Sequence, residues 1–178
     1  MNNNTGIQQT LVREGHFESC HRITCHKGKC RNIHGHSYKY ELEISYDTSN
    51  INGSGYLIDF GDIKKYFEDP IDKFFDHSTI ANSNDKILIK AAKKINDADK
   101  LIVISGYEPS VEIISITILK FLNLIAERKK LPEITGISLW ETAKCRCRTT
   151  ISNKYNTLAL APITLPENLS NYIQEISR

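Results

Sequence analysis

No hydrophobic run in this chain approaches the ~20 residues that a membrane-spanning helix needs. The longest candidate, VEIISITILKFLNLIAERKK, is broken by Glu112, Lys120 and Asn123 and reads as a helix with a buried face. The N-terminus, MNNNTGIQQTLVREGHF, lacks the apolar core of a secretory signal. A disulfide framework is not expected either: the five cysteines are odd in number and irregularly spaced, and with the polar N-terminus they point to a reducing cytoplasm. Charge of one sign is scarce, at a formal net +2, so no long-range attraction favours a nucleic acid or a membrane as partner. Repeats and low-complexity linkers are missing too. What remains is ordinary globular composition, 40% hydrophobic and 25% charged over 178 residues. That is enough for a single domain, 1–178, able to bury a core without metal or disulfide staples. Its last stretch, 157–178, carries weak structural signals and reads as a C-terminal extension.

The clearest periodic segment is YKYELEISY, in which Tyr38, Tyr40, Leu42, Ile44 and Tyr46 alternate with Lys39, Glu41, Glu43 and Ser45. The spacing predicts a half-buried strand, with His16–Arg22 as the strand before it. NGSG at 52–55 is turn chemistry. Asp59 is placed to cap a helix carrying Phe60, Ile63 and Phe67 and ending near Pro70. Residues 86–97 allow a second amphipathic helix, KLIVIS reads as a strand, and Pro109 marks the start of a long helix to about Lys130. EITGISLWET and CRCRTTISNKY follow as two strands across a short turn. The order β-β-α-(α-β)-α-β-β predicts an α+β fold, with helices on one face of an antiparallel sheet.

Reactive side chains crowd the stretch from Cys20 to His36, which holds His21, His26, His34 and His36 together with Cys20, Cys25 and Cys30. His34 and His36 are two apart, so in an extended chain both imidazoles face the same way. Gly35 leaves the other face bare. With His21 from the preceding strand they predict a three-histidine site with an open position, the pattern of a catalytic zinc. A closed site built from Cys25, Cys30, His34 and His36 competes with it. That arrangement would make the chain a zinc-stabilised interaction module and leave His21 and the later Asp76–His77 unused. In the open site Cys30 is free for chemistry, and the metal with Lys29 and Arg31 would favour its thiolate.

The motifs CHRI, CRNIHGHSY, GYLIDFGDIKK, FDHSTIAN, EPSVEII and LWET occur in the order found in the 6-pyruvoyltetrahydropterin synthase and 6-carboxytetrahydropterin synthase family, which the chain resembles from about Phe17 to Tyr155. The resemblance implies a tunnelling fold of ββααββ subunits, assembled as a homohexamer of two stacked trimers with sites shared between subunits. The segment near 86–105 is then an extra helix-strand insertion. The resemblance also implies that His21, His34 and His36 hold Zn2+, that Cys30 is the catalytic thiol, and that Asp76 and His77 form a pair supplied by a neighbouring subunit. Glu141 matches the pterin anchor, and one carboxylate suits the paired ring N–H and 2-amino donors of a pterin. Ser110 and Glu112 match the substrate-binding PTxEN segment, with Ser in place of Thr and Ile113 in place of Asn.

The activity so implied is that of a zinc-dependent lyase acting on 7,8-dihydroneopterin triphosphate. One branch of the family yields 6-carboxytetrahydropterin and acetaldehyde for 7-deazaguanine and queuosine synthesis, and the CxxxHGH spacing resembles that branch more closely. The other yields 6-pyruvoyltetrahydropterin. In AKCRCRTT, Lys144, Arg146 and Arg148 alternate with Cys145 and Cys147, so an extended chain makes them a basic rail just beyond Glu141. Arg146 and Arg148 are expected to hold the triphosphate if subunit packing brings the rail to the pocket, with Lys27 and Lys29 as the other candidates.

Overall fold

The computed structural model describes residues 6–51, 53, 55–151 and 164–177. Two long strands, β1 (Gln8–His21) and β2 (His34–Asp47), pair antiparallel throughout, from Gln8 opposite Asp47 to His21 opposite His34. The alternation in YKYELEISY is the two-sidedness of β2: Tyr38, Tyr40, Leu42 and Ile44 are buried, while Lys39 is exposed. β1 begins well before His16, because pairing with β2 defines it where its own hydrophobic pattern is weak.

β5 (Gly136–Thr142) adds to β2, and β6 (Cys145–Thr150) to β5, both antiparallel. On the opposite side β3 (Ser78–Asn82) runs parallel to β1, and β4 (Leu101–Ile104) parallel to β3. The result is a six-stranded sheet in the order β4-β3-β1-β2-β5-β6. It is mixed, which corrects the wholly antiparallel expectation, while the α+β class stands. All residues of β3 are buried, and a strand covered on both faces shows no alternation to read.

Parallel neighbours need a crossover, and α3 (Lys86–Ile95) supplies it between β3 and β4. This unit is the helix-strand insertion expected near 86–105. It also corrects the placement of all helices on one face. Asn96, following α3, donates from Nδ2 to Thr79 Oγ1 at 2.9 Å, and Thr79 alternates with the core residue Ile80. α3 therefore covers β3 and β4 from the side opposite the main core.

On the core side, α1 (Phe60–Ile63) is capped by Asp59, whose Oδ1 accepts from Gly61 N–H at 2.6 Å. It continues through a π-helical turn, Lys64–Glu68, into α2 (Asp69–Phe74). Pro70 does not end the helix: it falls in the first turn of α2, beyond the wider turn, where no backbone donor is required. α4 (Val111–Lys129) packs Ile114, Ile118, Phe121 and Leu122 into the same core as Phe17, Tyr38, Tyr40, Phe67 and Phe74. The expected weak tail contains a helix, α5 (Glu167–Glu175), which buries Leu169 and Ile173; residues 157–163 lie outside the described residues. Among the described residues no helix is long and apolar enough to cross a membrane.

Candidate active site and metal centre

Antiparallel pairing of β1 and β2 sets His21 opposite His34 and Ser19 opposite His36. Directly opposed residues share a sheet face, so the three imidazoles converge. Ring centroids lie 4.7 Å apart for His21 and His34, 5.2 Å for His21 and His36, and 4.9 Å for His34 and His36. One ring nitrogen from each lies within 4.8 Å of the others. Among the described residues this is the group of His, Cys, Asp or Glu side chains close enough to hold a metal ion, and no cysteine belongs to it.

Two of the second nitrogens are committed to backbone carbonyls. His21 Nδ1–H donates to Pro109 O at 2.6 Å, and His34 Nδ1–H to Asn32 O at 2.8 Å. Those bonds set the tautomer that presents Nε2 as a lone pair. The Nε2 atoms of His21 and His36 are buried without a hydrogen-bond partner, which a protein tolerates poorly unless something else binds there. Burial lowers the His21 pKa from 6.5 to about 4, against the opposing Pro109 bond and with help from His34 and His36. Burial also lowers that of His36, opposed by the Glu141 charge. Neutral imidazoles with converging lone pairs are what a divalent ion requires, and the residues present fit one.

Glu141 joins the group from β5: it is two residues beyond the buried Leu139, on the same face of the strand, where the β5–β6 register shifts between Trp140 and Thr142. Its Oε1 lies 3.6 Å from His21 Nε2 and 3.9 Å from His36 Nε2. Cys30 sits in the 3-10 turn Lys29–Arg31 of the loop between β1 and β2, half-buried, with its carbonyl accepting from Ile23 N–H at 2.8 Å. Cys25 is exposed. Asp76 and His77 form a pair, Asp76 Oδ2 to His77 Nδ1 at 2.6 Å. His77 borders a shallow concavity lined by Glu18, Cys20, Ser37, Thr79 and Asn96 and reached by His36; Glu18, Cys20, Ser37 and Thr79 alternate with the residues that face the core, so His77 stands on the sheet face opposite the converging imidazoles.

A sequence-family model described as 6-pyruvoyl tetrahydropterin synthase matches residues 10–151. The chain belongs to this family. A relative named 6-carboxy-5,6,7,8-tetrahydropterin synthase from Rickettsia bellii is 33% identical over 138 residues, covering 75% of this chain and 94% of the relative. One of the same name from Haemophilus influenzae is 30% identical over 142 residues, covering 77% and 95%. The crystal structure of 6-pyruvoyl tetrahydropterin synthase from Plasmodium vivax shares the fold, with a TM-score of 0.60 at 22% identity over 82% of this chain and 99% of that one.

The family match spans every residue singled out from the sequence, yet the structure does not gather them all in one chain. Ser110 is the N-cap of α4, next to the Pro109 carbonyl that orients His21, while Glu112 is exposed in the first turn. Arg146 lies over the Trp140 ring at 4.8 Å, and Arg148 binds Glu43 at 3.1 and 2.7 Å. Both arginines alternate with Cys147, which meets Ser115 of α4, so they lie on the sheet face opposite the triad. Sequence reasoning missed Glu108, whose carboxylate accepts from Thr24 N–H at 2.9 Å and from the Thr24 hydroxyl, tethering the loop that carries Cys30. It missed the Pro109 carbonyl as well. Spacing contains no signal for either, since both act across more than eighty residues of chain.

Proposed function

We propose that the chain is a zinc-dependent 6-carboxy-5,6,7,8-tetrahydropterin synthase of the cytoplasm, converting 7,8-dihydroneopterin triphosphate and water to 6-carboxytetrahydropterin, acetaldehyde and triphosphate for 7-deazaguanine synthesis. The observation that carries this reading is the set of three converging imidazoles, with the Nε2 atoms of His21 and His36 buried and unpartnered beside Glu141, in a chain whose relatives bear that name. His21, His34 and His36 would hold the zinc, which supplies Lewis-acid stabilisation of negative charge on substrate oxygens.

The remaining chemistry falls to the chain's own side chains. Cys30, as thiolate, removes a proton from the substrate side chain. Asp76 holds the His77 tautomer and ring orientation, so that His77 returns a proton on the opposite side. The Glu141 carboxylate accepts the pterin ring N–H and 2-amino hydrogens, and Ser110 and Glu112 would be further contacts to the substrate. Because Asp76–His77 and the Arg146–Arg148 rail lie off the triad's face, they serve a site only across a subunit boundary. This favours a homo-oligomer, a dimer of trimers in the family pattern.

The elimination that gives 6-pyruvoyltetrahydropterin uses the same residues and is the second reading, favoured by the description of the matching family model. Incubation with dihydroneopterin triphosphate and assay of acetaldehyde separates the two. Stoichiometric acetaldehyde supports the carboxytetrahydropterin synthase; triphosphate without acetaldehyde supports the pyruvoyl product. If neither product forms and chelation unfolds the chain, it is a zinc-stabilised module.

A further inference from the structure

Lys100 ends the 3-10 turn Ala98–Lys100 that leads into β4, within the inserted unit. Its ammonium donates to three backbone carbonyls outside that unit: Asp72 O at 3.3 Å, Lys73 O at 2.9 Å and Asp76 O at 2.7 Å. The carbonyls at the end of α2 have no intrahelical donors, and an ammonium has three N–H groups. Each carbonyl receives one. The insertion is braced alongside by Asn96, whose Nδ2 reaches Lys100 O at 3.2 Å and Thr79 Oγ1 at 2.9 Å. Lys73 and Asp99 approach to 3.8 Å across the same junction.

The turn that Lys100 grips is an unusual one. His77 has φ 54°, in the left-handed region that a side chain other than glycine seldom adopts. Glu18 holds the turn from its other side: its N–H donates to Asp76 Oδ1 at 2.8 Å, and its carbonyl accepts from His77 N–H at 2.6 Å. With Asp76 Oδ2 on His77 Nδ1, both carboxylate oxygens are committed. The direction of the imidazole therefore follows the backbone position of Asp76, and Lys100 pins that backbone from the insertion.

We infer that Lys100 is a positioning residue for the reaction: through the carbonyls of Asp72, Lys73 and Asp76 the inserted unit fixes the turn that aims His77 at a neighbouring subunit's site. This rests on the reading of Asp76 and His77 as the proton-transfer pair. It assigns the inserted α3-β4 unit a task in the site.

Lys100→Met removes the ammonium and keeps most of the stem. It is expected to lower kcat at least about tenfold while leaving KM within about threefold and zinc content at the parental level. A second readout needs no turnover: exchange of the His77 amide hydrogen should accelerate at least about tenfold relative to that of Ile80. Lys100→Arg keeps a cation but cannot offer three donors from one atom, and falls between in both readouts; it carries the test if Lys100→Met does not fold. Lys94→Met, exposed on the same insertion, should match the parent. His77→Ala, run alongside, separates the two ways of failing. If His77→Ala keeps its turnover, the proton-transfer reading is wrong and the inference goes with it. If His77→Ala is inactive while Lys100→Met keeps kcat within about twofold, or leaves His77 exchange unchanged, Lys100 is an ordinary helix cap and the inference is overturned.

Discussion

His21 is the most constrained residue of the site: fully buried, bonded at Nδ1 to Pro109 O, and facing two other imidazoles with an unpartnered Nε2. His21→Ala, His34→Ala and His36→Ala are each expected to drop bound zinc from about one equivalent to below about a tenth. Far-UV circular dichroism should hardly change, because the core is large enough to fold without metal. One full equivalent of zinc in any of the three would remove that residue from the ligand set. Cys30→Ala should keep zinc and pterin but lose about 10²–10⁴ in turnover, the usual worth of a positioned proton-transfer group. Zinc loss from this variant would instead make Cys30 a ligand. Glu141→Ala should weaken binding of unphosphorylated neopterin by about 1.5–3 kcal/mol, the worth of hydrogen bonds to a charged acceptor. Calorimetry showing equal affinity would take Glu141 out of the pocket.

At the scale of elements, α3 is tied to the triad strand by a part-buried ion pair. Asp85 caps α3 through Leu88 N–H at 3.1 Å and binds Arg22, the residue after His21, at Nε (2.5 Å) and Nη2 (2.7 Å). The Arg22 hydrogen bond lowers the Asp85 carboxyl pKa from 3.8, with burial opposing and the Leu88 N–H assisting. An unfolded chain thus takes up this proton before the folded one as pH falls. The contribution to stability is complete above the unfolded value and is lost as pH drops through the folded one. Asp85→Asn is expected to cost about 1–3 kcal/mol at neutral pH and to flatten the acid limb of stability below about pH 4. Urea unfolding at a series of pH values reads both effects. A variant whose acid limb runs parallel to that of the parent would show that the pair contributes nothing through its charge.

For the whole molecule, the separation of the triad from Asp76–His77 predicts complementation between defective subunits. Cys30→Ala and His77→Ala should each be inactive alone. Mixed assemblies of the two should recover activity at about a quarter of the sites, those that draw an intact residue from each chain. No recovery would mean that each chain completes its own site. Much of this was legible beforehand. The two-residue spacing of His34 and His36 determines that both face one way, since a strand has period two, and the alternation through Tyr46 determines which face of β2 is buried. The long helix and the helix-strand segment near 86–105 were likewise written in local periodicity. Other features arise only when distant segments meet. The mixed sheet, the α3 layer on its second face and the uninterrupted helix at Pro70 depend on pairing and packing that leave no periodic trace. So do the Pro109 carbonyl behind His21 and the Lys100 grip on Asp76. Sequence by itself determined which ligand-bearing side chains share a strand face, because that follows from backbone geometry over a few residues. Only the tertiary structure decided what orients His21, because a hydrogen bond to a remote segment is set by where the chain folds back and not by residue spacing.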